Sequence, residues 1–227
     1  MNKISTFIGI ILASGLLLSS CQQDIEVWDS ETYGYDGRYV IKLMNEDMST
    51  VTNEYDGSEL QLYNTAANQP NELWMEDMQH LIPLKSKFTF TGTPNSFKSS
   101  ETDFDKLANN ILTITAPTTK EAPAPTAENQ TAEVPRDDLR ATILDGKIIA
   151  KAVKTKGGNV ADSLYLKVKL YGGIATFKSK AKPKDQWQNP NTAEYIWVFT
   201  AVRPDPSKVR TIVIGGYRYT GFAEDEF

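Results

Sequence analysis

The chain has 227 residues, with 24 basic against 29 acidic side chains, one histidine, one cysteine and a net charge of −5. That acidic balance speaks against a nucleic-acid partner, which needs a basic surface. One cysteine excludes a disulfide within the chain, and one cysteine with one histidine falls short of a zinc site, so no metal and no cofactor is expected.

At the N-terminus, Lys3 precedes an apolar run over residues 7–18. A helix needs about 20 apolar residues to cross a bilayer. The shorter run reads as the hydrophobic region of a secretory signal. It ends in Leu18-Ser19-Ser20-Cys21, which resembles the lipobox of bacterial lipoproteins. There the signal is cut before the cysteine and the thiol, a strong nucleophile, takes a lipid. Acylation also removes a free thiol that would be a liability in an exported protein. The expected order is a signal peptide over 1–20 and a lipidated tether over 21–36, with Cys21 as the lipid attachment and a membrane as partner. Without Lys3 the net charge becomes −6. Gln22, rather than aspartate, after the cysteine implies sorting to the outer membrane, on its periplasmic face or at the cell surface. Asp24 and Glu26 resemble an acidic surface-export signal and would equally serve to solubilise a tether.

From Gly37 onward apolar and polar residues alternate. Residues 84–93, LKSKFTFTGT, put Leu84, Ser86, Phe88 and Phe90 on one face and Lys85, Lys87 and Thr89 on the other. Residues 163–173 do the same, with Leu164, Leu166, Val168 and Leu170 opposite Tyr165, Lys167 and Lys169. Such a period of two marks strands with one dry face. Further strands are expected near 37–44, 58–64, 72–78, 111–116, 194–202 and 210–222. Asp145-Gly146 between apolar runs predicts a tight hairpin over 143–153. Residues 103–112 allow two or three helical turns at most. Residues 116–138 carry four prolines amid threonine, alanine and glutamate, a composition that predicts a flexible loop. The fold class is all-β: one domain over 37–227, as an antiparallel up-and-down barrel interrupted by that long loop.

Three stretches carry a resemblance: DGRYVIKLM (36–44), LYNTAANQPNELWMED (62–77) and GGYRYTGF (215–222). Together they resemble a family of lipid-anchored proteins labelled lipid-binding putative hydrolases, with a calycin-like fold related to lipocalins. The Tyr-Asn-Thr-Ala-Ala-Asn run is its most specific part. The resemblance implies a barrel whose first strand opens with glycine and an aromatic plug, capped by an arginine from the last strand. Gly37, Tyr39 and Arg218 stand in those places, with tyrosine where lipocalins have tryptophan, and Arg203 or Arg210 as alternative caps.

An eight-stranded barrel is wide enough to be filled by side chains or to hold one small ligand. The expected partner is a lipid or another hydrophobic small molecule, with Trp74, Phe88, Phe90, Leu166, Val168, Trp197 and Phe199 as candidate pocket residues and, equally, candidate core. Exposed aromatics would instead favour a glycan-contacting or scaffold protein at the cell surface. Hydrolysis is implied by the family label alone. The lone His80 lacks a G-x-S-x-G partner, the acids of the C-terminal Glu-Asp-Glu-Phe sit where carboxylates normally face solvent, and no catalytic residue is assigned. Asp162-Ser163-Leu164 resembles an O-glycosylation tripeptide, with Ser163 as acceptor, and equally a strand start.

Replacement of Cys21 by alanine is expected to abolish palmitate labelling and to release the protein from the membrane fraction, or to leave the precursor uncut. Fractionation with metabolic labelling checks this.

Overall fold

The computed structural model describes residues 29–53, 59–77 and 81–225. Cys21 and His80 lie outside the described residues. Nine strands are formed among them: β1 (Gly37–Asn45), β2 (Val51–Asn53), β3 (Glu59–Asn64), β4 (Glu72–Asp77), β5 (Lys85–Thr93), β6 (Ser96–Ser99), β7 (Thr131–Lys154), β8 (Val160–Ala181) and β9 (Tyr195–Arg218). They make one antiparallel sheet in the order β2-β1-β3-β4-β5-β6-β7-β8-β9, and β9 pairs back onto β1. The sheet thus closes into a ring, with β2 hooked onto the end of β1.

The alternation in the sequence decides which side faces in. Ser86, Phe88 and Phe90 are buried while Lys85, Lys87 and Thr89 are half-exposed. Leu164, Leu166, Val168 and Leu170 are buried on β8 in the same way. The enclosed residues form one apolar cluster with Tyr39, Ile41, Leu60, Leu62, Leu73, Met75, Leu84 and Ile214. At roughly 1.5–3 kcal/mol for each fully buried large aliphatic or aromatic side chain, this cluster is the main source of stability.

Closure rests on seven paired positions, from Tyr39 opposite Arg218 to Asn45 opposite Ile212. Gly216 makes that approach feasible: a Cβ there would lie 2.0 Å from the Val40 carbonyl oxygen. Tyr39 is fully buried, and the Arg218 guanidinium carbon sits 5.5 Å from its ring centroid. Arg218 Nη2 also donates to the Tyr39 hydroxyl (3.2 Å), which itself donates to the Tyr35 carbonyl (2.8 Å). Asp162 of β8 pairs with Arg218 Nε at 3.2 Å. Gly37 lies beneath, where a Cβ would be 3.4 Å from Arg218 Nε. The alternative caps are engaged elsewhere, Arg210 with Asp138 and Arg203 with Glu133.

One end of the ring is plugged by the segment that leads into β1. Tyr35 packs on Phe90 and Phe97, with centroids 4.6 and 5.1 Å away, and its hydroxyl donates to the Gly92 carbonyl (3.1 Å). Thr32 and Tyr35 are buried, so residues 30–36 belong to the folded body and not only to a tether.

Several sequence expectations are corrected. Asp145-Gly146 makes no turn. Asp145 pairs with Lys167 and Gly146 with Leu166 inside the continuous β7, after a bulge that leaves Leu144 unpaired. Gly146 is needed because the Phe97 ring presses on it, 2.5 Å from where a Cβ would stand. Its glycine serves packing, not reversal. Residues 111–116 form turns, not a strand, and residues 103–112 supply only a 3-10 turn at Phe104–Lys106. The two C-terminal strands are one, β9, with Pro204 and Pro206 inside it. Proline is tolerated there because β9 pairs only with β8 until Ile212 meets β1, leaving an edge without ladder donors to lose.

The loop over 116–138 is also shorter than expected, since strand β7 begins at Thr131. Beyond the ring, β7, β8 and β9 continue as a three-stranded arm with its own apolar cluster of Ala132, Val134, Leu139, Ala175 and Phe177. The proline-rich segment lies over this cluster through Ala122, its Glu121 pairs with Arg136, and the Pro123 carbonyl accepts from Trp197 Nε1 (3.1 Å). It borrows from the arm the apolar surface that it lacks.

Burial pushes the Tyr39 phenol up to about 12, against the opposing pull of the Arg218 charge. The unfolded value is about 10. The protonated phenol therefore favours the fold: its contribution is whole below pH 10 and is lost as pH rises from about 10 to about 12. Among the ten tyrosines, one is expected to ionise last, with a fall in stability over the same window, and tyrosinate absorbance of Tyr39→Phe should lack that late step.

Candidate functional site

The ring is not closed by ladders everywhere. Between β6 and β7 the paired position is Phe97 opposite Gly146, and below it β5 and β7 are bridged by the crossing segment 100–113. On one side Ser100 N donates to the Thr89 carbonyl and Ile111 N to the Lys85 carbonyl, both at 3.0 Å. On the other, Asn110 N donates to the Leu139 carbonyl (2.8 Å), the Thr142 hydroxyl to the Glu101 carbonyl (2.8 Å), and Arg140 Nε to Asn109 Oδ1 (2.9 Å).

Asn110 rivets the seam. It is fully buried. Its Nδ2 donates to the carbonyls of Pro83 and Asp138, while its Oδ1 accepts from the amides of Lys85 (3.0 Å) and Leu112 (3.2 Å). All four bonding positions of the amide are filled, which is what a buried amide requires. Asp138 in turn holds Arg210 of β9 in a two-point pair, with Nη2 to Oδ2 at 2.6 Å.

A cleft of about 220 Å³ opens at this seam. Phe88 and Ala141, both members of the interior cluster, form its floor with Leu107. Lys87, Thr89, Glu101 and Lys106 stand around it, with Lys87 Nζ 3.1 Å from Glu72 and Lys106 Nζ 3.8 Å from Glu101. The arrangement is an apolar floor under a charged rim. It suits the tail of an amphiphile better than a wholly polar ligand.

The pocket residues expected from sequence divide. Phe88, Phe90, Leu166 and Val168 face the interior. Trp74 does not: it is half-buried on the outer face of β4, between Tyr63 and Lys87, because Leu73 and Met75 take the inward positions. Trp197 and Phe199 belong to the arm cluster, since β9 runs past the ring before reaching β1. The interior itself is filled. Leu60, Leu73, Met75, Leu84, Leu166, Val168, Leu170 and Ile214 are fully enclosed, with no water-sized space against them.

Ser163 lies half-buried in β8 opposite Ile149 and Tyr217, and Asp162 of the same tripeptide accepts from Lys151 N (2.9 Å) and pairs with Arg218.

Two sites escaped the sequence reading. Asn110 carries no signal beyond a polar residue in a short apolar stretch. Asp225 was expected in solvent but is buried, accepting from the hydroxyls of Thr155 and Thr220, from Asn159 Nδ2 (3.0 Å) and from Gly157 N (3.1 Å). Desolvation acts to raise its carboxyl, and these four donors outweigh it and hold the group below the usual range. Among the described residues, no group of three His, Cys, Asp or Glu side chains is disposed to hold a metal ion.

Residues 24–223 match the model of the family described as lipid-binding putative hydrolase. The chain belongs to that family. No curated protein sequence matches it. In this chain the Tyr-Asn-Thr-Ala-Ala-Asn run of residues 63–68 ends β3 and leads into the β3–β4 turn. Asn68 takes a left-handed φ of 46°, which asparagine tolerates. Its Oδ1 accepts from Asn64 Nδ2 and Glu31 N, each at 3.1 Å, so the run grips the chain on its way into β1.

Asn110→Ala is expected to cost about 2–4 kcal/mol, because the Pro83 carbonyl loses this donor, the Asp138 carbonyl keeps only the Thr113 hydroxyl, and the Lys85 and Leu112 amides lose this acceptor. Amide exchange over 100–113 should accelerate more than exchange in β8, which hydrogen-exchange mass spectrometry resolves.

Proposed function

We propose that this protein is an outer-membrane lipoprotein, acylated at Cys21, whose closed sheet is a calycin-type barrel that takes up a lipid or another hydrophobic small molecule at the β5–β7 seam. The observation that carries the reading is the seam: a stretch of ring held by a crossing segment instead of a ladder, with Phe88 and Ala141 of the interior buried directly beneath a charged cleft. Membership of a lipid-binding family supports an apolar ligand. The lipobox at Leu18–Cys21 supports the anchor.

Ligand sites of drug size typically span about 300–1,000 Å³, and the cleft of about 220 Å³ falls below that range. Uptake of a full acyl chain therefore requires the segment 100–113 to lift from β5 and expose the seam. An acyl chain would then lie along Phe88, with its anionic head beside Lys87 and Lys106. The reading is of binding, and hydrolysis rests on the family description alone.

Native mass spectrometry of the protein prepared without its anchor is expected to show a co-purified acyl-chain ligand. Thr89→Trp, which places an indole at the cleft mouth, should reduce its occupancy about tenfold while leaving thermal unfolding unchanged. Ligand-free masses for both proteins, after incubation with lipids and fatty acids, would refute the seam as a binding site.

A further inference from the structure

The arm has two outer strand edges, and that of β7 over residues 131–137 is blunted by Glu133, Pro135, Arg136 and Asp137, whereas that of β9 over residues 195–202 is not. Residues 195–202 of β9, Tyr-Ile-Trp-Val-Phe-Thr-Ala-Val, pair with β8 on one side only, and among the described residues no backbone group bonds their other side. The stretch carries no charge and no proline. Ile196 is 40 % exposed and Val198 half-exposed on the face away from the arm cluster, while Trp197 and Phe199 pack into that cluster. Soluble proteins blunt such edges with charge, proline or bulges, and an apolar edge left bare is a template for another strand. Here the blunting begins abruptly afterwards, with Arg203, Pro204, Asp205, Pro206 and Lys208. Within the stretch the one irregularity is the bulge near Thr200.

We infer that this edge is the docking surface for a second copy of the same chain, joined by antiparallel pairing of residues 195–202 across a two-fold axis. The charge pattern selects that occupant. An antiparallel edge paired with its own copy is self-complementary by symmetry, and its uncharged middle meets no like charge. At its two ends stand Glu194 and Arg203, which antiparallel pairing brings together; Glu194 already accepts from Lys182 Nζ (2.7 Å) and Gln188 N (2.6 Å), so Arg203 of the other copy would join that cluster through the carboxylate's remaining lone pairs. Arg203 can exchange its present partner, since it is 67 % exposed and its pair with Glu133 is long, at 3.8 Å. The proline-bearing continuation stops the pairing from extending, so two copies close the edge and no fibre grows. The arm projects from the end of the ring opposite Asn68, which grips the incoming chain, so the edge stays accessible when that chain is anchored.

The test uses residues 22–227, which contain every described element, in sedimentation equilibrium. A concentration-dependent dimer is expected. Ile196→Lys with Val198→Lys should abolish it, with unchanged circular dichroism. Arg203→Glu alone should weaken it about tenfold by setting acids against acids at both ends. Arg203→Glu combined with Glu194→Gln, which keeps an acceptor for Gln188 N and removes the clash of acids, should recover most of it. A wild-type chain that stays monomeric, or a dimer indifferent to the two lysines, overturns the proposal. Loss in Arg203→Glu without recovery in the double exchange also overturns it, since pairing would then not be antiparallel between like edges.

Discussion

The pairing of the first ring strand with the last is the constraint on which the rest of the molecule depends. Seven paired positions join β1 to β9, and the Tyr39 ring beneath Arg218 fastens their end. A cation over an aromatic face contributes about 0.5–2 kcal/mol according to how far it is desolvated. The ladder matters more than that figure, because it turns an open sheet with two edges into a wall around one apolar cluster. Asp162 ties the same guanidinium to β8, so three neighbouring strands share one fastening.

The alternation of apolar and polar residues was enough to place β1, β3, β4 and β5 and the inward faces of β5 and β8. The expectation for Gly37, Tyr39 and Arg218 rests on the resemblance to lipocalin-like barrels alone, since nothing in the composition or spacing links residues so far apart; the Arg218 guanidinium carbon stands 5.5 Å from the Tyr39 ring centroid. What was not legible was length. Asp145-Gly146 has the residues of a turn, but in β7 the Phe97 ring needs the bare glycine, and sequence alone does not show that neighbour. The proline-rich segment looked unable to order itself, and by itself it has too little apolar surface. Its partner is an arm made by strands running past the ring. Trp74 misled for a simpler reason: its size suggested the interior, while its position between two inward residues put it outside.

The polar residues that matter most here are buried ones that complete hydrogen-bond sets. Asn110 fills all four of its bonding positions in the seam, and Asp225 gathers four donors where the last described residues meet the β7–β8 turn. Neither has a sequence signature, because each depends on backbone groups supplied by distant segments. Such groups specify one arrangement: a half-filled set in a dry interior costs more than an apolar replacement would. The seam is thus held at several points, with the Asn110 amide joining β5, the crossing segment and β7 at once.

The ring also dictates when this protein can fold. Tyr39 and Arg218 are 179 positions apart, and the wall is incomplete until the chain through Arg218 has been made. A nascent chain can form the β3–β4–β5 meander, but the apolar faces of β1 and β8 have no lid until β9 arrives. Such long-range closure is slow relative to local hairpins. A chain that cannot close early keeps the apolar faces of β1 and β8 uncovered for longest, so the span between synthesis of β1 and arrival of β9 is when it is most open to pairing with the wrong strand.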